Sequence, residues 1–129
     1  MNHKSINDDN DTMIGRFTLE ETVKAREAVF DTAVDTMYIF DIENLKLLDM
    51  NPWGLQLLGY SIDEIRQKDF YDIHAIEERE RAEEIVAIYL RDGGIFGVRD
   101  LHLRRKDGTL IPVEKTGRLT TVNGKQVGH

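Results

Sequence analysis

Histidine and cysteine side chains are too few and too badly spaced in this chain for common catalytic or metal chemistry. Cysteine is absent, which removes thiol nucleophiles, disulfides and zinc–thiolate sites. Of the histidines, His3 and His129 lie at the ends, and His74 and His102 do not have metal-ligand spacing. We interpret His74 as a loop or capping residue and His102 as a residue on the solvent-facing or the helix-facing surface of a strand. No G-x-S-x-G or other nucleophile motif occurs, so we predict no enzymatic activity and no metal.

Two further patterns resemble catalytic motifs but are better explained by helix and strand ends. The glycine-rich segment RDGGIFG, residues 91–97, follows a predicted helix and enters a predicted strand. A phosphate-binding loop needs the reverse order, because the helix N-terminus supplies the N–H groups. Several aspartates also fall at element ends, where capping explains them better than acid–base pairing: Asp41, Asp49, Asp69 and Asp72.

The composition indicates one soluble globular domain. The chain has 129 residues, with 24 acidic and 17 basic side chains and a net charge of −7. A negative chain is repelled by phosphates, which argues against a nucleic-acid or anionic-membrane surface. No apolar run approaches the length of a membrane span, and the first residues lack the apolar stretch of a signal peptide. We therefore expect a cytoplasmic location and no membrane contact in this segment.

The segment LDMNPWGLQLLGYSIDEI, residues 48–65, predicts two short helices in sequence. Asn51 is a favourable N-cap, and Pro52 occupies the first helical position, where its missing N–H costs nothing. Gly59 supplies the left-handed residue that ends this helix. Ser61 and Glu64 form the capping box of the next helix. Helices this short need tertiary packing to be stable, so we expect them to lie against a larger element.

The N-terminal region divides into a polar head and a predicted lead helix. Residues 1–13 are rich in Asn and Asp and are expected to be disordered, whereas residues 14–34 form the lead helix. Leu19, Val23 and Phe30 fall near one face of this helix. That face either packs on its own domain or pairs with a second copy of the chain.

The remaining elements are strands and one long helix. TMYIFD and LLDM predict a β-hairpin, and the stretch from Ala75 to Gly94 predicts the longest helix. Asp107-Gly108 and Asn123-Gly124 are two-residue hairpin signals that separate three further strands. The chain is therefore expected to be α+β, with one antiparallel sheet that carries the short helices and the long helix on one face.

These pieces together resemble the PAS sensory domain family. The resemblance rests on DTMYIFD, LLDMNPWGLQLLGYSIDEI, FYDIHAIEERERAEEIVAIYL and GVRDLHLRRKDGTLIPVEKTGRL, and it covers roughly residues 30–129. It implies a five-stranded sheet of order 2-1-5-4-3 within a domain over 35–129. KQVGH would then begin a central last strand, within which the chain is truncated. The resemblance also implies an output domain beyond His129, such as a histidine kinase or a GGDEF diguanylate cyclase.

The resemblance narrows the possible cofactors. Haem-binding members use a histidine on the long helix, and residues 77–91 contain none. Light-sensing members that bind flavin or coumaroyl groups covalently use a cysteine, which this chain lacks. A non-covalent flavin, a small metabolite or no ligand remain as alternatives.

A sheet covered by short helices can enclose a small cavity, so we predict a ligand pocket there. An ordinary core made of the same apolar and aromatic side chains is the alternative. The candidate lining residues are Met37, Ile39, Leu48, Trp53, Leu57, Tyr60, Phe70, Ile73, Val86, Leu101, Leu103 and Val113.

The sequence thus suggests a sensory or regulatory domain for signal transduction. It would bind a small ligand or form a homodimer, and it would control a C-terminal output domain in cis. A ligand-free homodimerisation module is the alternative function.

Overall fold

The computed structural model describes residues 12–129 and begins with a short hairpin. The predicted disordered head, residues 1–13, lies outside the described residues except for its last two positions. Strands β1 (Met13–Ile14) and β2 (Phe17–Thr18) pair antiparallel. The predicted bounds of the lead helix, 14–34, are therefore wrong at the N-terminal side. Residues 14–18 belong to this hairpin, and a role of the following helix in dimerisation or signalling remains a prediction.

Helix α1 (Leu19–Thr32) follows the hairpin and lies on the surface. The Thr18 hydroxyl accepts a hydrogen bond from Glu21 N at 3.1 Å, and Thr18 N donates to Glu21 Oε1 at 2.9 Å. This capping box satisfies two N–H groups that the helix itself cannot pair. None of the side chains of α1 is buried.

The main sheet has five antiparallel strands: β3 (Tyr38–Asp41), β4 (Leu47–Met50), β5 (Gly94–Arg104), β6 (Leu110–Val122) and β7 (Lys125–Gly128). Their spatial order is β4-β3-β7-β6-β5. Counted within this sheet alone, the order is 2-1-5-4-3. This is the expected order. The strand numbers are each higher by two because the two strands of the N-terminal hairpin, which were not predicted, come first in the chain.

The helical layer consists of α2 (Pro52–Leu58), α3 (Ile62–Ile65), a 3₁₀ turn (Ile76–Glu78) and α4 (Arg79–Asp92). The Asn51 side chain accepts a hydrogen bond from Gly54 N at 3.1 Å and begins α2. Gly59, at φ 85°, ends α2, and the Ser61–Glu64 capping box begins α3. None of the described helices is long and apolar enough to cross a membrane.

The predicted long helix is divided in the structure. Its first residues form the 3₁₀ turn, and α4 proper begins at Arg79 and ends at Gly93, which has φ 79°. Leu90, next to the buried Tyr89, is exposed. The residues of α4 that face the core are Ala82, Ile85, Val86 and Tyr89.

The core lies between the helical layer and one face of the sheet. Phe40 on β3 is fully buried, with ring centroids 4.9 Å from Phe70 and 5.3 Å from Tyr89. Gly128 on β7 crosses Phe40 so closely that a Cβ there would overlap the aromatic ring. The aromatic cluster therefore joins β3, β7, α4 and the loop before the 3₁₀ turn into one packed unit.

Candidate functional site

A cavity lies between β3 and β6, next to the end of β7. Strand β7 pairs with β3 at Phe40 and Asp41, next to a bond from Ile42 N to Gln126 O, and with β6 from Leu119 to Val122. His129 then bonds with Arg118 through both backbone groups. Beyond this point β3 and the segment 111–117 of β6 face each other across a cavity of about 740 Å³, which we call the β3–β6 cavity.

The lining of the β3–β6 cavity is mostly apolar on the side that faces the core. Alternate residues of β6 point to opposite faces of the sheet, so Val113 and Lys115 point inward while Glu114 and Thr116 are exposed. The apolar residues of the lining are Phe30, Met37, Ile39, Trp53, Leu57, Leu103, Ile111 and Val113, and the polar and other residues are Asp35, Thr36, Tyr38, Tyr89, Lys115, Glu114, Thr116, Ala33, Pro112 and His129.

The structure separates the predicted pocket residues into three groups. Those that line the β3–β6 cavity are Met37, Ile39, Trp53, Leu57, Leu103 and Val113. Those that are buried in the hydrophobic core without lining the cavity are Tyr60, Phe70, Ile73, Val86 and Leu101. Leu48 is exposed, because it alternates along β4 with the buried Leu47.

The predicted dimer residues do not share one environment. Phe30 is half-buried and lines the β3–β6 cavity. Val23 is exposed and Leu19 is half-buried at the start of α1. Phe30 therefore connects α1 to the cavity, whereas Val23 faces away from the core.

Lys115 carries the most unusual electrostatics of the described residues. Its side chain is buried, at 8 % exposure, in the middle of β6. Nζ donates a hydrogen bond to Tyr38 Oη and lies 2.6 Å from His74 Nε2. It also lies 4.5 Å from the centroid of the Phe70 ring. Within residues 12–129, no carboxylate forms an ion pair with this amine.

His74 is held in one orientation by the loop that precedes the 3₁₀ turn. Its Nδ1 lies 2.6 Å from the carbonyl oxygen of Phe70, which can only accept, so Nδ1 carries the hydrogen. In the neutral ring Nε2 then has a free lone pair, which faces Lys115. The backbone of His74 bridges to Leu103, and Arg104 Nη2 donates to Asp72 O at 2.9 Å. These bonds attach the loop to β5.

Burial shifts the pKa values of the whole cluster toward neutral side chains. It lowers the pKa of Lys115 from 10.5 to about 7. Burial, and then the charge of Lys115, lowers the pKa of His74 to about 3. Burial, and then the neighbouring Tyr89, raises the pKa of Tyr38 well above its usual value. Tyr38 and His74 therefore stay neutral near pH 7, and the amine of Lys115 is the group that titrates there.

This cluster was not predicted, although the sequence contains one signal for it. Along β6 the inward-facing positions include Val113, Lys115 and Gly117, so the lysine interrupts an apolar face. The interpretation of His74 as a loop or capping residue placed it in the loop but not in the core. A charged residue among the alternate positions of a strand that otherwise carry apolar side chains is the pattern that would have identified the site.

The other internal histidine has a structural contact. His102 Nδ1 lies 2.7 Å from Glu78 Oε2, and His102 N donates to Glu78 Oε1 at 2.7 Å. This double contact holds the 3₁₀ turn against β5. Among residues 12–129, no group of three or more His, Cys, Asp or Glu side chains is arranged to hold a metal.

Comparisons with known proteins support one fold family. The sequence profile of the PAS fold matches residues 47–128. A domain of the sensory box sensor histidine kinase/response regulator from Geobacter sulfurreducens is 25 % identical with a TM-score of 0.70, covering 88 % of this chain and 96 % of that one. The PAS domain of a Colwellia psychrerythraea protein is 20 % identical with a TM-score of 0.70, covering 83 % and 92 %. No curated protein matches the chain significantly.

A third solved structure, the PAS domain of an HTR-like protein from Haloarcula marismortui, is 20 % identical with a TM-score of 0.65, covering 85 % of this chain and 88 % of that one. The profile match spans most of the chain, and the five-stranded antiparallel sheet with helices on one face is that of these structures. The chain belongs to the PAS family of sensory domains.

Proposed function

We propose that this domain is the regulatory input of a signalling protein and that occupancy of the β3–β6 cavity controls a C-terminal output domain. The observation that carries the proposal is the contact of Tyr89 with the central strand. Tyr89 lines this cavity and also donates a hydrogen bond to His129 O at the end of β7, so a change at Tyr89 reaches the central strand directly. No enzymatic activity is proposed for the domain itself.

The contacts at the end of β7 support this coupling. Tyr89 Oη donates a hydrogen bond to His129 O at 3.0 Å, and Tyr89 also lines the cavity. Gly117 lies so close to His129 and Tyr89 that a Cβ there would overlap both. A ligand that displaces Tyr89 therefore changes the position of His129. A ligand with a 100-fold preference for one state supplies roughly 2.7 kcal/mol toward that state.

A longer protein would carry the response through the chain that follows His129. The segment that follows His129 would pass the state onward. We propose a histidine kinase as the output domain, because one similar structure is a domain of a sensor histidine kinase. A diguanylate cyclase is the alternative, and a non-covalent flavin or a small metabolite is the proposed occupant.

A substitution that fills the cavity tests the coupling. Val113→Phe adds volume inside the β3–β6 cavity, whereas Leu48→Phe makes the same kind of change on the exposed side of β4. We expect Val113→Phe to shift the backbone amide resonances of residues 125–129 and to change the output activity of the longer protein. Leu48→Phe should change neither. Identical β7 resonances and output activity in folded Val113→Phe would contradict the proposal.

A ligand-free homodimerisation module is the second candidate, supported by α1. The helix buries none of its side chains and exposes Val23 and Val29. If α1 pairs two copies, Val23→Glu should lower the apparent mass measured by light scattering at high protein concentration. Ala28→Glu, on the opposite face of the helix, is the matched control. A monomer at all concentrations for the unmodified chain excludes this candidate.

A further inference from the structure

The turn of the β6–β7 hairpin lies outside the layered part of the fold. Residues 120–126 are all exposed. On the β3 side, the hydrogen bond nearest to the turn runs from Ile42 N to Gln126 O. On the β5 side, it runs from Leu119 N to Gly93 O. Within the described part of the chain, the strand ends between these bonds and the turn therefore pair only with each other.

Two residues, Asn123 and Gly124, connect these strand ends. Val122 pairs with Lys125, and the φ values of Asn123 and Gly124 are 49° and 76°. Among residues 12–129, no hydrogen bond involves the Asn123 side chain or Gly124 N. Apart from its chain neighbours, nothing lies within 4 Å of the point where a Cβ of Gly124 would be. The side-chain amide and the backbone nitrogen that follows it are therefore adjacent, unpaired and open to water.

The other asparagines among the described residues do not combine these features. Asn44 Oδ1 accepts a hydrogen bond from Lys46 N at 3.0 Å, and a leucine follows Asn44. Asn51 is fully buried and precedes Pro52, which has no N–H. Asn123 has a free amide and is followed by a glycine. Because glycine has no side chain, its nitrogen is the least hindered for attack on the preceding amide.

We propose that Asn123 is a modification site, at which the asparagine converts spontaneously to isoaspartate and weakens the pairing of β7 with β6. In the first step Gly124 N forms a bond to Cγ of Asn123. The Cγ–Nδ2 bond breaks, and Nδ2 leaves as ammonia with the hydrogen of Gly124 N. A five-membered imide remains.

Solvent water then opens the imide at one of its two carbonyl carbons. If the bond from Gly124 N to Cγ breaks, the product is an ordinary aspartate. If the bond from Gly124 N to the backbone carbonyl carbon breaks, the product is isoaspartate, in which the main chain runs through the side chain of residue 123. Both products carry a new carboxylate. The reaction needs neither a ligand nor an output domain, so it is independent of the proposed sensory function.

Isoaspartate changes the turn more than a new charge does. It inserts one additional atom into the main chain, whereas the two-residue turn sets the register in which Val122 meets Lys125. Strand β7 lies between β3 and β6, and its Gly128 packs against the Phe40 ring. A looser turn therefore weakens the attachment of the central strand.

The first test measures the reaction in the full 129-residue chain, incubated at pH 8.5 and 37 °C. Trypsin cleaves after Arg118 and Lys125, so residues 119–125 are released as one peptide. We expect this peptide to gain about 1 Da by mass spectrometry. The gain should be roughly tenfold or more faster than at Asn44 or Asn51, and within roughly tenfold of the rate in the isolated 119–125 peptide. Asn123→Gly keeps a residue pair that suits the turn and should show no gain.

The second test measures the consequence. The isoaspartate form is separated by ion exchange and compared in urea with Asn123→Asp, which has the same charge and an ordinary main chain. We expect a lower urea midpoint and shifted amide resonances across residues 119–128 for the isoaspartate form. No mass gain, or a gain roughly a hundredfold slower than in the isolated peptide, would show that the turn holds Asn123 away from Gly124 N and overturn the inference. Equal urea midpoints would show that the modification does not weaken β7.

Discussion

The replacement of Lys115 by methionine makes the stability of the domain less dependent on pH. In the folded chain the amine is buried beside Tyr38 and His74, and burial lowers its pKa from 10.5 to about 7. Between these two values the unfolded chain binds more protons than the folded one. Stability of the unmodified chain therefore rises as the pH increases from 7 toward 10.5. Well below pH 7 the amine is protonated in both the folded and the unfolded chain, so the full free-energy cost of burying it is present.

The size of this penalty follows from the pKa difference. Each pKa unit corresponds to about 1.36 kcal/mol, so the lysine costs about 4 kcal/mol of folding free energy at pH 7 and about 2 kcal/mol at pH 9. Methionine removes this cost but leaves His74 Nε2 without its partner, which costs about 1–3 kcal/mol at any pH in this range. We therefore expect Lys115→Met to be the more stable protein at pH 7, and its advantage to shrink by about 2 kcal/mol at pH 9.

Urea unfolding at pH 7 and pH 9 measures both quantities. The window isolates Lys115, because His74, with a pKa of about 3, and Tyr89, with a pKa of about 12, do not titrate within it in the folded chain. Lys125→Met removes an exposed lysine and should show the same pH dependence as the unmodified chain. If the free energies of unfolding of Lys115→Met and the unmodified chain differ by the same amount at both pH values, the assignment of a depressed lysine pKa is refuted.

Three further perturbations have expected outcomes. Asn51→Ala removes the hydrogen bonds of this side chain with Gly54 N, Met37 N and Asp35 O. The free energy of unfolding, measured by urea denaturation, should therefore fall by about 3 kcal/mol. Asn44→Ala, at an exposed asparagine, is the control and should cost under about 1 kcal/mol. His74 has a folded pKa of about 3, below its ordinary value, so the unmodified chain should lose about 2 kcal/mol between pH 6.5 and 4.5, because the unfolded state takes up a proton first. His74→Gln should lose less, and equal losses would contradict the buried neutral ring. Gly128→Ala places a methyl group against the Phe40 ring and should lower the free energy of unfolding by about 2 kcal/mol or more. Gln126→Ala, on the exposed side of β7, is the control. A neutral effect of Gly128→Ala would show that β7 does not cross Phe40 as closely as described.

The ends of the short helices and the hairpin turns could be predicted from the sequence because their interactions are local. The capping bonds of Asn51, Gly59 and Ser61 each reach a backbone group within four positions along the chain, whereas the further bonds of the Asn51 side chain to Met37 N and Asp35 O are long-range. Asn123-Gly124 turns the chain with φ values of 49° and 76°, which few other residue pairs adopt. Local bonds of this kind depend only on the types of neighbouring residues, so a short sequence pattern is enough to predict them.

The N-terminal hairpin could not be predicted in the same way. Its strands have two residues each, too few to show an alternating pattern, and Met13, Ile14 and Phe17 also suit a helical apolar stripe. The turn glycine, Gly15 with φ 61°, was the only local signal. The predicted helix therefore extended too far toward the N-terminus.

The sequence by itself determined the order of the main helices and of the strands from β3 onward, and the capping residues of the short helices, since caps, turns and apolar periods act over a few positions. Only the tertiary structure decided the site. Lys115 meets Tyr38 across 77 positions and His74 across 41 positions of the chain. Their pKa values depend on the same packing, because desolvation arises from all the atoms around a group and not from its neighbours in sequence. A lysine that would be an ordinary surface residue elsewhere has a pKa of about 7 because the sheet places it inside.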